Sequence, residues 1–202
     1  MFAALLLAAG APQTAVDAER AFAAMAQAKG QWTAFRAFAA DDATMFTPQP
    51  VNAHTFLQPR ADPPQSVRWS PAASYISCDG TTAANTGPWR GANGGHGYFS
   101  TIWRRQPDGG WKWIVDGGDS LAVPRVEARE AKVHKAICNH PRNPPEPPLG
   151  IESKVGAGAS PDKTLIWWYE VARDGARTFA VRLWNGRAYD IVIDDRIAAA
   201  AR

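Results

Sequence analysis

Cysteine is nearly absent from this chain: two, Cys78 and Cys138, among 202 residues. There is no Cys-x-x-Cys pair and no Cys/His spacing of ligand type, so no metal site is expected. His134 and His140 flank Cys138, but one Cys and two His lack a fourth ligand. No Gly-x-x-x-x-Gly-Lys-Ser/Thr run occurs, and the Gly-rich stretch from Gly91 to Gly97 has the wrong spacing to cradle a phosphate. No Gly-x-Ser-x-Gly elbow supports a Ser-His-Asp triad. With these motifs missing, no cofactor is expected. Long apolar runs are missing too, which excludes a membrane span of ordinary length. Basic residues do not cluster: 22 Lys and Arg against 19 Asp and Glu leave a net charge of +3, and the Arg104-Arg105 pair stands alone. Nucleic acid is therefore excluded as a partner for want of an electrostatic footprint. No internal repeat is visible.

What is present is enough to build a core. Apolar residues make up 46% and charged residues 20%, and nine tryptophans are many for this length. Tryptophan buries a large area and keeps one donor, so it suits cores and binding walls alike. The length fits one domain with an extension. At the start, Phe2 to Ala9 is a short apolar stretch followed by the small-x-small triplet Ala9-Gly10-Ala11. That pattern reads as a signal segment over residues 1–14, so the protein is expected to be exported, to a bacterial periplasm. An oxidising compartment would allow a Cys78–Cys138 disulfide. Two separate buried thiols remain the alternative, because sequence does not show how close two Cα atoms lie.

Periodicity places helices first and strands after. Val16, Phe22, Met25 and Ala26 share a face over 16–29, and Gly30 ends that helix. Trp32, Phe35, Phe38 and Ala39 recur at helical spacing over 31–40. A short strand follows at 43–47, then one helical turn at 52–57 and a Pro-rich loop. Strands are expected at 66–78, broken near Pro71, and at 81–89, 98–106 and 111–116. Asp79-Gly80 and Asp108-Gly109 are the hairpin turns. After Leu121 the composition changes. Residues 126–137 fit helix or strand, and 122–163 as a whole read as a Pro/Gly-rich connection. A three-stranded meander at 164–195 turns at Asp174-Gly175 and Asn185-Gly186. Alternation gives each of its strands one apolar face: Leu165, Trp167, Tyr169 and Val171; then Phe179, Val181 and Leu183; then Tyr189, Ile191 and Ile193. A lone sheet of this kind is marginal, so it is expected to dock on the main domain.

The 98–116 hairpin can be read in register from its turn. An Asp108-Gly109 turn sets Gln106 opposite Trp111, Arg105 opposite Lys112, Arg104 opposite Trp113 and Ile102 opposite Val115. Like charges face each other only in water, so the Arg105/Lys112 face is expected outside. Tyr98, Ile102, Arg104, Trp113 and Val115 are then expected to face the helices, with Asp116 outside, opposite Thr101. A β-bulge would invert part of this.

Several segments carry a family resemblance. Ala18-Glu19-Arg20-Ala21-Phe22 and Gln31 to Ala43 look like opening helices and a first strand. Ser77-Cys78-Asp79-Gly80 with Asn85 to Trp89 looks like a central hairpin, and Gly97 to Trp113 like a final one. Together, residues 15–121 resemble the SnoaL-like branch of the nuclear transport factor 2-like superfamily. The resemblance implies an α+β cone: helices packed on a bent antiparallel sheet around an apolar pocket. Its members include isomerases, dehydratases and domains that only bind, and its enzymes place an Asp or His in the pocket as general base. No residue here matches that role by motif.

Pocket candidates are Tyr98, Ile102, Arg104, Trp113 and Val115 from the hairpin, Asp119 just beyond it, and His54 near the first strand. Arg104 beside Trp113 suits an anionic ligand. His54 and His96 titrate near neutrality in principle, though loop histidines are mostly exposed. The expected function is a small-molecule-binding domain of the cell envelope taking an apolar or anionic ligand. The alternatives are a cofactor-free isomerase or dehydratase with a pocket Asp or His as base, and a homodimerising interaction module. A buried carboxylate in the pocket would favour the enzyme.

Overall fold

The computed structural model describes residues 13–139, 141, 144–147 and 152–199. The expected signal segment lies outside these for residues 1–12. Helix α1, Ala15–Lys29, starts at Thr14, whose hydroxyl accepts from the Asp17 N–H, and stops at Gly30 with φ 110°. Its neighbour α2, Gln31–Phe38, runs directly into strand β1, Ala39–Phe46. There follow β2, Pro50–Asn52, the single turn α3, Ala53–Leu57, and the short β3, Arg68–Trp69. The central strands are β4, Ala73–Ile76, β5, Thr82–Arg90, β6, His96–Arg105, and β7, Trp111–Ser120. Then come β8, Lys132–Lys135, β9, Lys154–Ala159, β10, Leu165–Val171, β11, Arg177–Trp184, and β12, Tyr189–Ile197.

These strands form two sheets. The first is ordered β2-β1-β7-β6-β5-β4-β8, with β3 beside β5; the second is ordered β12-β11-β10-β9. The first is antiparallel except where β1 meets β7 and β4 meets β8. Helices packed on one face of this curved sheet make up the α+β arrangement that the resemblance implies for residues 15–121. Phe22, Ala26, Ala34, Met45, Leu57, Trp103, Trp111 and Trp113 fill the layer between helices and sheet. The second sheet covers the opposite face. There Ala84, Ile102 and Val115 pack against Leu165, Tyr169, Val171, Phe179, Val181, Leu183 and Ile193. Each face of β6 thus has its own core, and nothing between residues 97 and 103 is exposed.

The expected hairpin register holds only at its far end. Ile102 does oppose Val115, but Trp103 pairs with Trp113, Arg104 with Lys112 and Arg105 with Trp111. Ile114 is the extra residue of a β-bulge, and it turns its side chain to the same side as Val115. The faces are therefore corrected. Trp103 and Trp113 point to the helices, whereas Ile102 and Val115 point to the second sheet. The physical reason is area: the bulge lets Trp103, Trp111 and Trp113 all reach the helix layer while Ile114 and Val115 serve the other core.

The stretch read as a connection contributes two strands. β8 lies parallel to β4, and β9 adds a fourth strand beside β10. Cys78 and Cys138, just past the ends of β4 and β8, form a disulfide with Cα atoms 5.1 Å apart. In the meander the apolar faces of β10 and β11 are buried as expected. On β12 a second bulge at Val192 turns Ile191 outward, 55% exposed, and brings Val192 and Ile193 inward instead.

Candidate functional site

A cavity of about 400 Å³ lies at the end of the helix-facing layer where β1 leaves the side of β7. Aromatic and apolar side chains from five elements make its wall: Phe22, Trp32, Phe35, Met45, Trp69 and Phe99. Sequence periodicity explains the helical contributions, since Phe22 and Phe35 meet edge to face across α1 and α2 at 4.8 Å. The polar part of the wall is contiguous in sequence, Asp116-Gly117-Gly118-Asp119-Ser120 on β7, joined by Tyr98 and Arg177.

Asp116 is the central group. The bulge at Ile114 shifts alternation by one, so Asp116 points toward the helices and not outward as the unbulged register implied. Its carboxylate accepts from the Thr101 hydroxyl at 2.8 Å. It keeps some accessible surface because it lines the cavity, yet the carboxyl is enclosed by protein. That burial pushes it up to about 7, against the lowering effects of Thr101 and Arg177.

Behind the wall sits a second acid, Glu19, on the apolar face of α1 and fully buried. One carboxylate oxygen accepts from the Trp69 indole at 2.8 Å, and the other from Trp103 at 2.7 Å and from the Asn85 amide at 3.3 Å. Burial outweighs these donors, and the nearby Asp116 charge adds to it, so Glu19 is also pushed up to about 7. Glu19 does not line the cavity; it fixes two of the indoles that shape the surrounding core. Sequence reasoning missed it, although its place at i+3 from Val16 and i−3 from Phe22 put a carboxylate on an apolar stripe.

The expected pocket residues separate into two groups. Tyr98 and Asp119 line the cavity, and burial pushes the Tyr98 phenol up to about 12, so it stays protonated. The rest stand elsewhere. Ile102 and Val115 are buried between the sheets. Trp113 is buried among the helices, its indole N–H without an acceptor among the described residues. Arg104 lies at the surface in a two-pronged ion pair with Asp42, at 2.6 and 3.0 Å, and holds that carboxyl below its usual range. His54 sits on α3, away from the cavity lining, and His96 starts β6. No group of three or more metal-ligating side chains occurs among the described residues, and none of their helices is long and apolar enough to cross a membrane.

No family model matches the chain, and no curated protein matches it. Among solved structures, one that resembles it is described as a "putative ketosteroid isomerase" from Parabacteroides distasonis. The two are 14% identical; the match covers 55% of this chain and 90% of the other, with a TM-score of 0.44. At that identity and fit, the likeness assigns no activity to this chain.

Proposed function

We propose that this chain binds a small, largely apolar molecule in the β7 cavity, and that Asp116 acts on it as general base in a cofactor-free proton transfer of isomerase or dehydratase type. One observation carries the reading: a carboxyl with a single donor among the described residues, enclosed in an aromatic-walled cavity, and pushed up to about 7. An effective base titrates near the working pH, because it is then partly free to accept a proton and still basic enough to do so. An ordinary exposed aspartate would be too weak a base. Thr101 orients the carboxylate from one side, leaving the other oxygen for a ligand. Tyr98, protonated at neutral pH, offers a hydrogen-bond donor in the same wall.

The reading fits the SnoaL-like resemblance, in which a pocket acid is the base. The Cys78–Cys138 bridge supports the further proposal that the protein works in an oxidising, extracytoplasmic compartment. N-terminal sequencing of the native protein from a periplasmic fraction tests that part; an intact Met1 in the cytosol would sink it.

Proton exchange tests the base. A panel of cyclic ketones in D2O, followed by NMR, reports deuterium entering beside the carbonyl. The wild type should accelerate exchange for at least one ketone, with a rate that rises with pH through about 7. Asp116→Asn should lower that rate roughly 100-fold or more. A ketone that binds the wild type without faster exchange, and binds Asp116→Asn equally well, would leave a binding domain with no chemistry.

A further inference from the structure

We infer that the ligand of this cavity carries an anionic group, and that Arg177, supplied by the C-terminal sheet, is the residue that selects it. The inference rests on the cavity being a ligand site, as proposed above. It starts from a cation in an unusual place. Arg177 opens β11, yet its side chain reaches the cavity wall beside Gly117, Gly118 and Asp119. It is nine-tenths buried, at 9% exposure. Its guanidinium lies over the Phe46 ring at 4.0 Å, and one Nη donates to the Gly118 carbonyl at 3.1 Å. No carboxylate among the described residues comes within 4.0 Å of it, although five other ion pairs of that length are present. Its Nε is buried with no acceptor among the described residues.

A buried guanidinium with five donors and one acceptor is costly unless something else satisfies it. The charged groups around it balance it only at a distance. Asp119, Asp195 and, when ionised, Asp116 act on it through space, and Arg125 lies over the Tyr98 ring at 4.2 Å. A carboxylate on a ligand could meet the planar fork with two parallel hydrogen bonds, which is the geometry arginine favours. The wall leaves room for this. A Cβ on Gly117 would come within 3.2 Å of Phe46 and 3.5 Å of the Arg177 Nη2, so the glycine lets the cation approach β7. With the apolar wall on the other side, the chemistry that fits is a ring or chain bearing one carboxylate. The C-terminal sheet then completes the site as well as covering the main sheet.

Matched probe pairs test this: benzoate, 2-naphthoate and biphenyl-4-carboxylate, each against its neutral amide, by titration calorimetry at pH 6. There the probes are ionised and Asp116 is mostly protonated. The wild type should bind at least one acid roughly tenfold or more tighter than its amide. Arg177→Gln should abolish that preference while the amide affinity stays within about twofold, and Arg177→Lys should keep part of it. Amides that bind the wild type as well as the acids would overturn the role of Arg177 and leave the cavity reading standing. A preference that survives in Arg177→Gln would overturn it as well, and would point to Arg125. If neither acids nor amides bind, the cavity reading itself fails, and this inference with it. Should Arg177→Gln fail to fold, Arg125→Gln decides between the two cations: a preference kept there upholds Arg177, and one lost there overturns it.

Discussion

At Glu19 two indole N–H groups and an amide converge on one buried carboxylate, so each oxygen has its own donors. Glu19→Gln keeps the volume but turns an amide NH2 toward one of these donors. It should cost about 2 kcal/mol, and Glu19→Ala, which orphans both indoles and leaves a void, about 4 kcal/mol, by chemical denaturation at pH 6. Asp116 and Glu19 together set a pH dependence. Both hold their protons up to about pH 7 in the folded protein, whereas the unfolded chain releases them near its ordinary values of 3.8 and 4.5. The folded state therefore binds more protons across that interval, and stability must fall as pH rises from about 4.5 to about 7 and then level off. Asp116→Asn removes one of the two titrations and can still accept from Thr101. Its melting temperature should fall less than that of the wild type between pH 5 and pH 8. A wild-type melting temperature that rises over that range would contradict the burial of both acids.

Among the elements, β7 does the most. It carries the bulge that divides its side chains between two cores, and then a Gly-Gly pair that forms the cavity rim. The two glycines differ. A Cβ on Gly118 would stand 2.1 Å from the Tyr98 carbonyl oxygen, so Gly118→Ala must push β6 and β7 apart. A Cβ on Gly117 meets the Phe46 ring at 3.2 Å, which can move, and the Arg177 Nη2 at an ordinary 3.5 Å. Gly118→Ala should cost about 3 kcal/mol and Gly117→Ala less than about 1 kcal/mol in thermal or denaturant melts, the second changing ligand affinity more than stability. The turns are legible in the residues themselves. Gly80, Gly109, Gly175 and Gly186 all adopt positive φ where Asp-Gly or Asn-Gly pairs announce hairpins. The β7 bulge is not, because Trp113, Ile114 and Val115 are apolar in succession and alternation alone cannot say which residue is extra.

On the scale of the whole molecule, the first sheet lies between the helices and the second sheet. Removing everything after Leu121 would bare Ala84, Ile102 and Val115 and delete Arg177. The truncated protein should be poorly soluble, by sedimentation after expression, and should lose any acid-over-amide preference. The second sheet is also tied in by polar contacts: Thr164 accepts from the Cys78 N–H at 2.8 Å and Asp162 from the Asp79 N–H at 2.7 Å. The Cys78–Cys138 bridge closes a span of 60 residues, so reducing it, or replacing both cysteines by serine, should lower stability by about 2–4 kcal/mol. An unchanged melting temperature under reducing conditions would show that the strand pairing of β4 with β8 holds alone.

The two opening helices, the strands β4 to β7 and β10 to β12, the turn positions and the apolar faces of β10 and β11 follow from the sequence by itself. These depend on local terms: helical and alternating periodicity, capping, and glycine's freedom at positive φ. The site does not follow from it. Asp116 is readable as a strand residue opposite Thr101, but which way it points depends on one extra residue at Ile114, and that is decided by where three tryptophans find burial. Arg104 and Arg177 are equally plausible cations on paper. Only tertiary packing leaves Arg104 paired with Asp42 at the surface and brings Arg177, 61 residues from Asp116, to the cavity wall. Sequence alternation sets the side of a strand; it carries no information about which distant strand will cover that side.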